Sequence, residues 1–374
     1  MNTSMTFALA LALSVSFVPA VLAAPHRQDA SLPPLSQESR ACIACHEIYT
    51  PGIVRDWRSS LHAQTVPTTA LKKPEAERRI SVTAVPERFA GVAVGCYECH
   101  SQNAERHRDN FKHNGFRINV VVSPNDCKTC HEKEAVQYGG SKKAHAVKNL
   151  AGNPVYHALV NTVNGVKQVT DGKISARPGS DTTMNETCFG CHGTKVEVKG
   201  MKTIKTATGE MSVPDLTNWP NQGVGRENPD GSTGSCSSCH ARHSFSIKMA
   251  RKPYTCAQCH LEPDVPAYNV YKESKHGNIY ESMEDDFDFT AVPWKVGEHF
   301  RAPTCATCQT VRSRHRTAEC WRNAPTTSAS AFGSASSASR TRTRSRSPAI
   351  PPLFAMPTAC RCRPPSPVSR PHPT

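Results

Sequence analysis

Six copies of Cys-x-x-Cys-His punctuate the chain: Cys42, Cys45 and His46; Cys96, Cys99 and His100; Cys127, Cys130 and His131; Cys188, Cys191 and His192; Cys236, Cys239 and His240; and Cys256, Cys259 and His260. Two thiols at this spacing can form thioether bonds to the vinyl groups of a haem, and the adjoining imidazole can reach the iron from one side. Paired CxxC knuckles also make good tetrahedral zinc sites. Zinc, however, does not require His as the next residue, and His follows all six pairs although it makes up only 17 of 374 residues. The repeat therefore predicts six covalent haem c groups, with the six motif histidines as proximal ligands. A seventh pair, Cys305 and Cys308 in CATCQ, has the thiol spacing but lacks the His, while Cys320, Cys360 and Cys362 fit no haem pattern.

An iron held by two histidines moves electrons, whereas one with an open face can bind and transform a ligand. Eight histidines outside the motifs lie between His46 and Cys305. Of these, His62, His107, His145, His243 and His276 are candidate distal ligands. For His113, His157 and His299 a solvated or hydrogen-bonded side chain is the default reading.

The elements that must position these groups are short on apolar mass. Only 37% of residues are hydrophobic and 6% aromatic. Haem can supply the missing interior, since each macrocycle is a large apolar plate for helices and loops to wrap. The expected fold is mainly α with long irregular segments, a multihaem cytochrome c architecture organised around stacked covalent haems, and the chain without haem is expected to be largely unfolded. His62 falls on a predicted helix after Trp57, and residues 67–90 read as a connecting helix and loop. The turn-rich insertion between His192 and Cys236 predicts a β-hairpin or lid. His243, three residues past His240, would share one helical turn with it.

Three stretches follow from composition. Residues 1–23 read as a signal peptide cleaved near Ala23, because the apolar run Phe7 to Val18 is too short to span a bilayer and a small-residue site follows it; a retained anchor is the alternative. Export to the periplasm suits haem c, which is attached outside the cytoplasm. Residues 24–308 carry the haem motifs. Residues 309–374 are rich in Arg, Ser and Pro, a composition that cannot bury enough apolar area to fold. The abrupt change one residue after Cys308 is also what a shifted reading frame would produce. The formal charge of +14 is concentrated there, with 11 Arg against Glu319 alone, leaving 34 basic and 30 acidic residues in the rest. Haem propionates would lower the balance further, so a nucleic-acid partner is not expected.

The order of the sites, the DWRSSLH segment after the first, CHARHSFS, ESKHGN and APTCATC together resemble the octahaem cytochromes of the hydroxylamine oxidoreductase family, over roughly residues 40–308. The resemblance implies that the fourth haem, at Cys188, Cys191 and His192, has the open face and acts on a small inorganic nitrogen compound. It implies that the other haems form a wire to a redox partner, either a cytochrome or a quinone-linked carrier, and that intact members assemble as homotrimers. The family's distal Asp-His pair falls on Asp264 and Val265. Asp264 can exchange protons with a bound nitrogen ligand, with Tyr268 or Tyr271 as candidates to share the role, and Val265 cannot. CATCQ replaces the seventh motif, the eighth is absent, and so is the region that carries the Tyr crosslink of oxidising members. These departures favour the reductive direction, from nitrite or hydroxylamine toward ammonia. The alternatives are a pure electron carrier with every iron doubly ligated by His, or an inactive truncated product.

Overall fold

The computed structural model describes residues 32–263 and 265–309. The expected signal peptide, the Arg-rich tail and Asp264 lie outside these described residues. Contacts divide the chain after Ala306, and of the second unit only Thr307–Gln309 are described, at the end of the helix Cys305–Gln309.

Short helices joined by irregular chain dominate, and the strands form two-stranded hairpins without a larger sheet among the described residues. This is the mainly helical multihaem architecture expected from composition. The helices begin where side chains can satisfy the first free N–H groups. Ser36 caps Gln37–Tyr49 by accepting from Ser39 N at 3.0 Å, and Ser60 caps Leu61–Gln64 by accepting from Ala63 N at 3.3 Å. Pro51 opens Pro51–Ser59, where its missing N–H costs nothing.

The hairpin β1 (Asn110–His113) and β2 (Phe116–Asn119) turns through Asn114 and Gly115, at φ of 47° and 90°. Positive φ at both central residues is the geometry an Asn-Gly pair adopts readily in a two-residue turn. β3 (Val166–Thr170) and β4 (Lys173–Arg177) form an exposed hairpin. β5 (Val198–Thr206) and β6 (Gly209–Leu216) form the longest, in the insertion between His192 and Cys236. The hairpin expected there is therefore present.

Protein-only cores are small. Ile43, Val54, Trp57 and Ala63 gather the first three helices, and Trp57 Nε1 donates to Val94 O at 2.9 Å. A second cluster joins Tyr280, Phe287, Phe289, Phe300 and Ala302. One helical expectation is corrected. The helix Ser237–His240 stops at its last motif residue, and Ala241, His243 and Phe245 have φ of 53°, 68° and 42°. His243 therefore leaves along left-handed backbone and not on the same helical turn as His240.

Candidate haem sites

On a helix, thiols at i and i+3 and an imidazole at i+4 fall on one face. Cys96–His100 and Cys188–His192 are complete one-turn helices of this kind, and the first motif lies within Gln37–Tyr49. The first two motifs are clasped together. Glu98 accepts from Gly95 N at 2.8 Å and from Ser39 Oγ at 2.6 Å, while Ser39 Oγ accepts from Tyr97 N at 3.0 Å. Gly95 is needed there, because a Cβ would stand 2.5 Å from Ser39 Oγ.

The ring orientation of the proximal histidines is set by the nitrogen that faces away from the expected iron. His100 Nδ1 donates to Asn119 O at 2.7 Å, His46 Nδ1 to Thr50 Oγ1 at 2.8 Å and His192 Nδ1 to Ala146 O at 3.3 Å. The backbone carbonyls of Arg79 and Ser246 serve His131 and His240. Such a bond fixes the tautomer and leaves Nε2 with its lone pair for a metal. Burial holds His100, His131 and His240 below the ordinary imidazole range, in the neutral form that ligates.

The distal candidates separate sharply. His62 stands with its ring centre 6.1 Å from that of His131, the proximal residue of the third motif. Metal–imidazole bonds of about 2 Å, with the ring centre about 1 Å beyond each nitrogen, place two rings on one metal roughly 6 Å apart. Burial, with the nearby His131, holds His62 down to about 4. His243 is likewise held down to about 4, by burial first and then by its neighbour His100. His145 and His276 are exposed. His145 precedes Ala146, whose carbonyl stands behind the His192 ring.

His107 is a correction. It is 5% exposed, with Nδ1 2.9 Å from Asp109 Oδ1 and Nε2 3.3 Å from Asp126. Burial opposes its charge, but the hydrogen bonds to the two carboxylates outweigh burial and push it up to about 10. Both ring nitrogens then carry protons, and neither has a lone pair for iron. Asp109 and Asp126 also accept from Val121 N and Ser123 N, each at 2.7 Å, so the clamp is tied to the backbone.

Haem fits these residues better than zinc does. All fourteen motif-type cysteines among the described residues are free of disulfides, and no three Cys, His, Asp or Glu side chains there converge as a metal site. Burial raises the Cys96 and Cys99 thiols to about 12, which keeps them as thiols in the folded chain. Cations await counter-charges as well. Arg226, 2% exposed, and Arg242 lie 5.2 Å and 4.7 Å from the Trp219 ring, and the buried Nη2 of Arg242 has no partner. Among the described residues neither guanidinium meets a carboxylate, which is costly for buried charge unless haem propionates supply it.

The motif thiols also report which sites adjoin. Cys42 neighbours Cys96, and Cys99 neighbours Cys130. Cys127 neighbours Cys236, Cys239 neighbours Cys256, and Cys259 neighbours Cys191. Cys256 also neighbours Cys305 of the incomplete seventh pair. Among the described residues these neighbours run first, second, third, fifth, sixth and fourth, with the fourth at one end. The chain after it is laced to the segment that follows the hairpin: Val224 N donates to Cys191 O and Gly225 N to His192 O, at 3.0 Å and 2.9 Å. A Cβ on Gly223 would meet Gly193 N at 2.1 Å, so this approach requires glycine. Tyr271 donates its hydroxyl to Pro303 O at 3.2 Å, and the Lys272 ammonium lies 5.6 Å from the Tyr268 ring.

Sequence reasoning passed over the Asn114-Gly115 turn and, with it, the placement of His113, whose ring centre lies 6.1 Å from that of His46. The signal was present as Asn-Gly flanked by alternating residues, with Phe111 before it and Phe116 and Ile118 after it.

Comparison with known proteins agrees with this arrangement. Residues 41–119 and 126–213 match the family model of cytochrome c554 and c-prime, and residues 224–323 match the model described as seven times multi-haem cytochrome CxxCH. A probable nitrite reductase-hydroxylamine oxidoreductase fusion protein of Kuenenia stuttgartiensis is 26% identical over 283 residues, which is 71% of this chain and 25% of that protein. A solved structure described as a hypothetical multiheme protein is 47% identical, with a TM-score of 0.69 over 75% of this chain and 53% of that one. The chain spans about half of the solved relative and a quarter of the fusion protein. With its CxxCH repeats, helical architecture and these matches, the chain is a hydroxylamine oxidoreductase-like multihaem c-type cytochrome.

Proposed function

We propose that this cytochrome is periplasmic and reduces nitrite or hydroxylamine toward ammonia at the site of Cys188, Cys191 and His192. The observation that supports the reading is the fourth site's place at the end of the series of adjoining thiol pairs, where the family resemblance also sets the open face. Among the described residues facing imidazoles stand at His46 and His131, and none at His192, as none at His100, His240 or His260. A haem there supplies iron with a face open to a nitrogen ligand.

The chain's own groups provide the remainder. The carbonyl of Ala146 orients the proximal ring, and the Gly223–Gly225 segment locks the motif's end. A haem held by Cys256, Cys259 and His260 would pass electrons to the fourth site, since Cys259 neighbours Cys191. They enter the chain of sites from a cytochrome or quinone-linked carrier. Asp264 delivers protons, and Tyr268 is the candidate to assist, since the Tyr271 hydroxyl already donates to Pro303 O. The similarity to a protein named for both nitrite reduction and hydroxylamine oxidation supports this substrate class.

The test is reduction of nitrite and hydroxylamine by the holoprotein with a viologen donor, ammonium being the measured product. Turnover by the wild type, with a marked fall in Asp264→Asn, is expected. Absence of turnover together with failure to bind nitric oxide would leave an electron carrier.

A further inference from the structure

We propose that His113 is the sixth ligand of the iron at the first motif, Cys42–Cys45–His46, and that Met211 is the positioning residue that aims it. The proposal rests on the six motifs carrying haem and adds a ligand and its support, neither of which follows from motif spacing.

Three observations converge. First, the ring centres of His46 and His113 are 6.1 Å apart, the same separation as His62 and His131 at the third motif. It is also the separation of roughly 6 Å that two imidazoles take across one metal. Second, the β1–β2 hairpin is anchored at one end and reaches at the other. Asn119 O, at the end of β2, accepts from His100 Nδ1, while His113 closes β1 opposite Phe116. Phe111 and His113, two residues apart, share one face of β1, with ring centres 5.9 Å apart. One short hairpin therefore orients the proximal ring of the second site and presents a candidate distal ring to the first.

Third, His113 Nδ1 lies 3.1 Å from Met211 Sδ. A thioether sulfur accepts and cannot donate, so this contact places the proton on Nδ1 and the lone pair on Nε2. That is the tautomer needed for ligation through Nε2, set by an outer contact as in other metal-bound histidines. Met211 lies on β6, so the long hairpin inserted after the fourth motif reaches back to the first. The other histidine that follows the second motif, His107, is occupied at both nitrogens by Asp109 and Asp126.

The experiment uses full-length holoprotein produced with the cytochrome maturation system. Haem is counted by pyridine haemochrome and spin state is read by low-temperature EPR. His113→Ala is expected to keep the wild-type haem count, because attachment runs through Cys42 and Cys45, and to convert one low-spin haem to high spin. Added imidazole should restore the low-spin signal. Met211→Leu should stay low-spin but move that haem's EPR signature and reduction potential, and Met211→Gln, whose carbonyl can accept from Nδ1, should move them back. An unchanged low-spin population in His113→Ala, or a new high-spin haem in His107→Asn, would overturn the assignment. Fewer than two haems in the wild type would instead overturn the haem reading beneath it.

Discussion

The stretch from the first to the third motif and the stretch from the fourth to the sixth use the same five-residue unit and surround it differently. In the first stretch, carboxylates organise the interior: Glu98 ties two motifs together, and Asp109 and Asp126 grip His107. Imidazole rings there face each other at His46–His113 and His62–His131. In the second stretch the buried charges are arginines around Trp219 with no carboxylate beside them, and His192 has no facing ring among the described residues. On the proposed reading, the repeated unit sets where haem would attach, while the side chains around it would decide whether an iron is closed for electron transfer or open for chemistry.

Removing one site from each stretch tests this most strongly. Replacing Cys188 and Cys191 with Ala should abolish every spectral response to hydroxylamine while five haems remain. The same change at Cys42 and Cys45 should leave that response intact. Equal responses in the two variants would erase the distinction.

Breaking the carboxylate clamp comes next. His107→Asn leaves Asp109 and Asp126 without their cation, and loss of one partner from a buried pair costs about 3–5 kcal/mol. The sign with pH follows from a folded-state value pushed up to about 10. The clamp's contribution is complete below the ordinary imidazole value of about 6.5 and fades as pH rises through about 10. Guanidinium melts of wild type and variant should therefore differ most near pH 6 and converge toward alkaline pH; a gap that widens with pH would refute the clamp.

The chemistry of this protein was far more legible in its sequence than its folding detail was. Motif spacing gave the attachment points, and the segment after Trp57 placed His62 on the helix Leu61–Gln64. His107 was misread because the group that spoils it as a ligand, Asp126, is 19 residues away in sequence and meets it only after the hairpin folds. His243 was misread because helical periodicity assumes the helix continues, and it ends at His240. The support of His113 by Met211, 98 residues away, carries no local signal at all.

Smaller effects sharpen the same contrast. Gly95→Ala pushes a methyl to 2.5 Å from Ser39 Oγ, at the clasp between the first two motifs. Such overpacking should lower stability by about 1–3 kcal/mol in the same melts. Arg58→Ala removes only an exposed ion pair with Glu47 and should change stability by less than about 1 kcal/mol. A loss from Arg58→Ala as large as that from Gly95→Ala would mean that surface charge, not the buried clasp, holds this stretch.

The most direct measurement is the haem count and spin state of the wild-type holoprotein, before and after hydroxylamine is added. Six covalent haems are expected, one per complete motif, with a high-spin ferric signal that hydroxylamine shifts. A colourless or zinc-loaded product, or iron that is wholly low-spin and ignores the ligand, would contradict it.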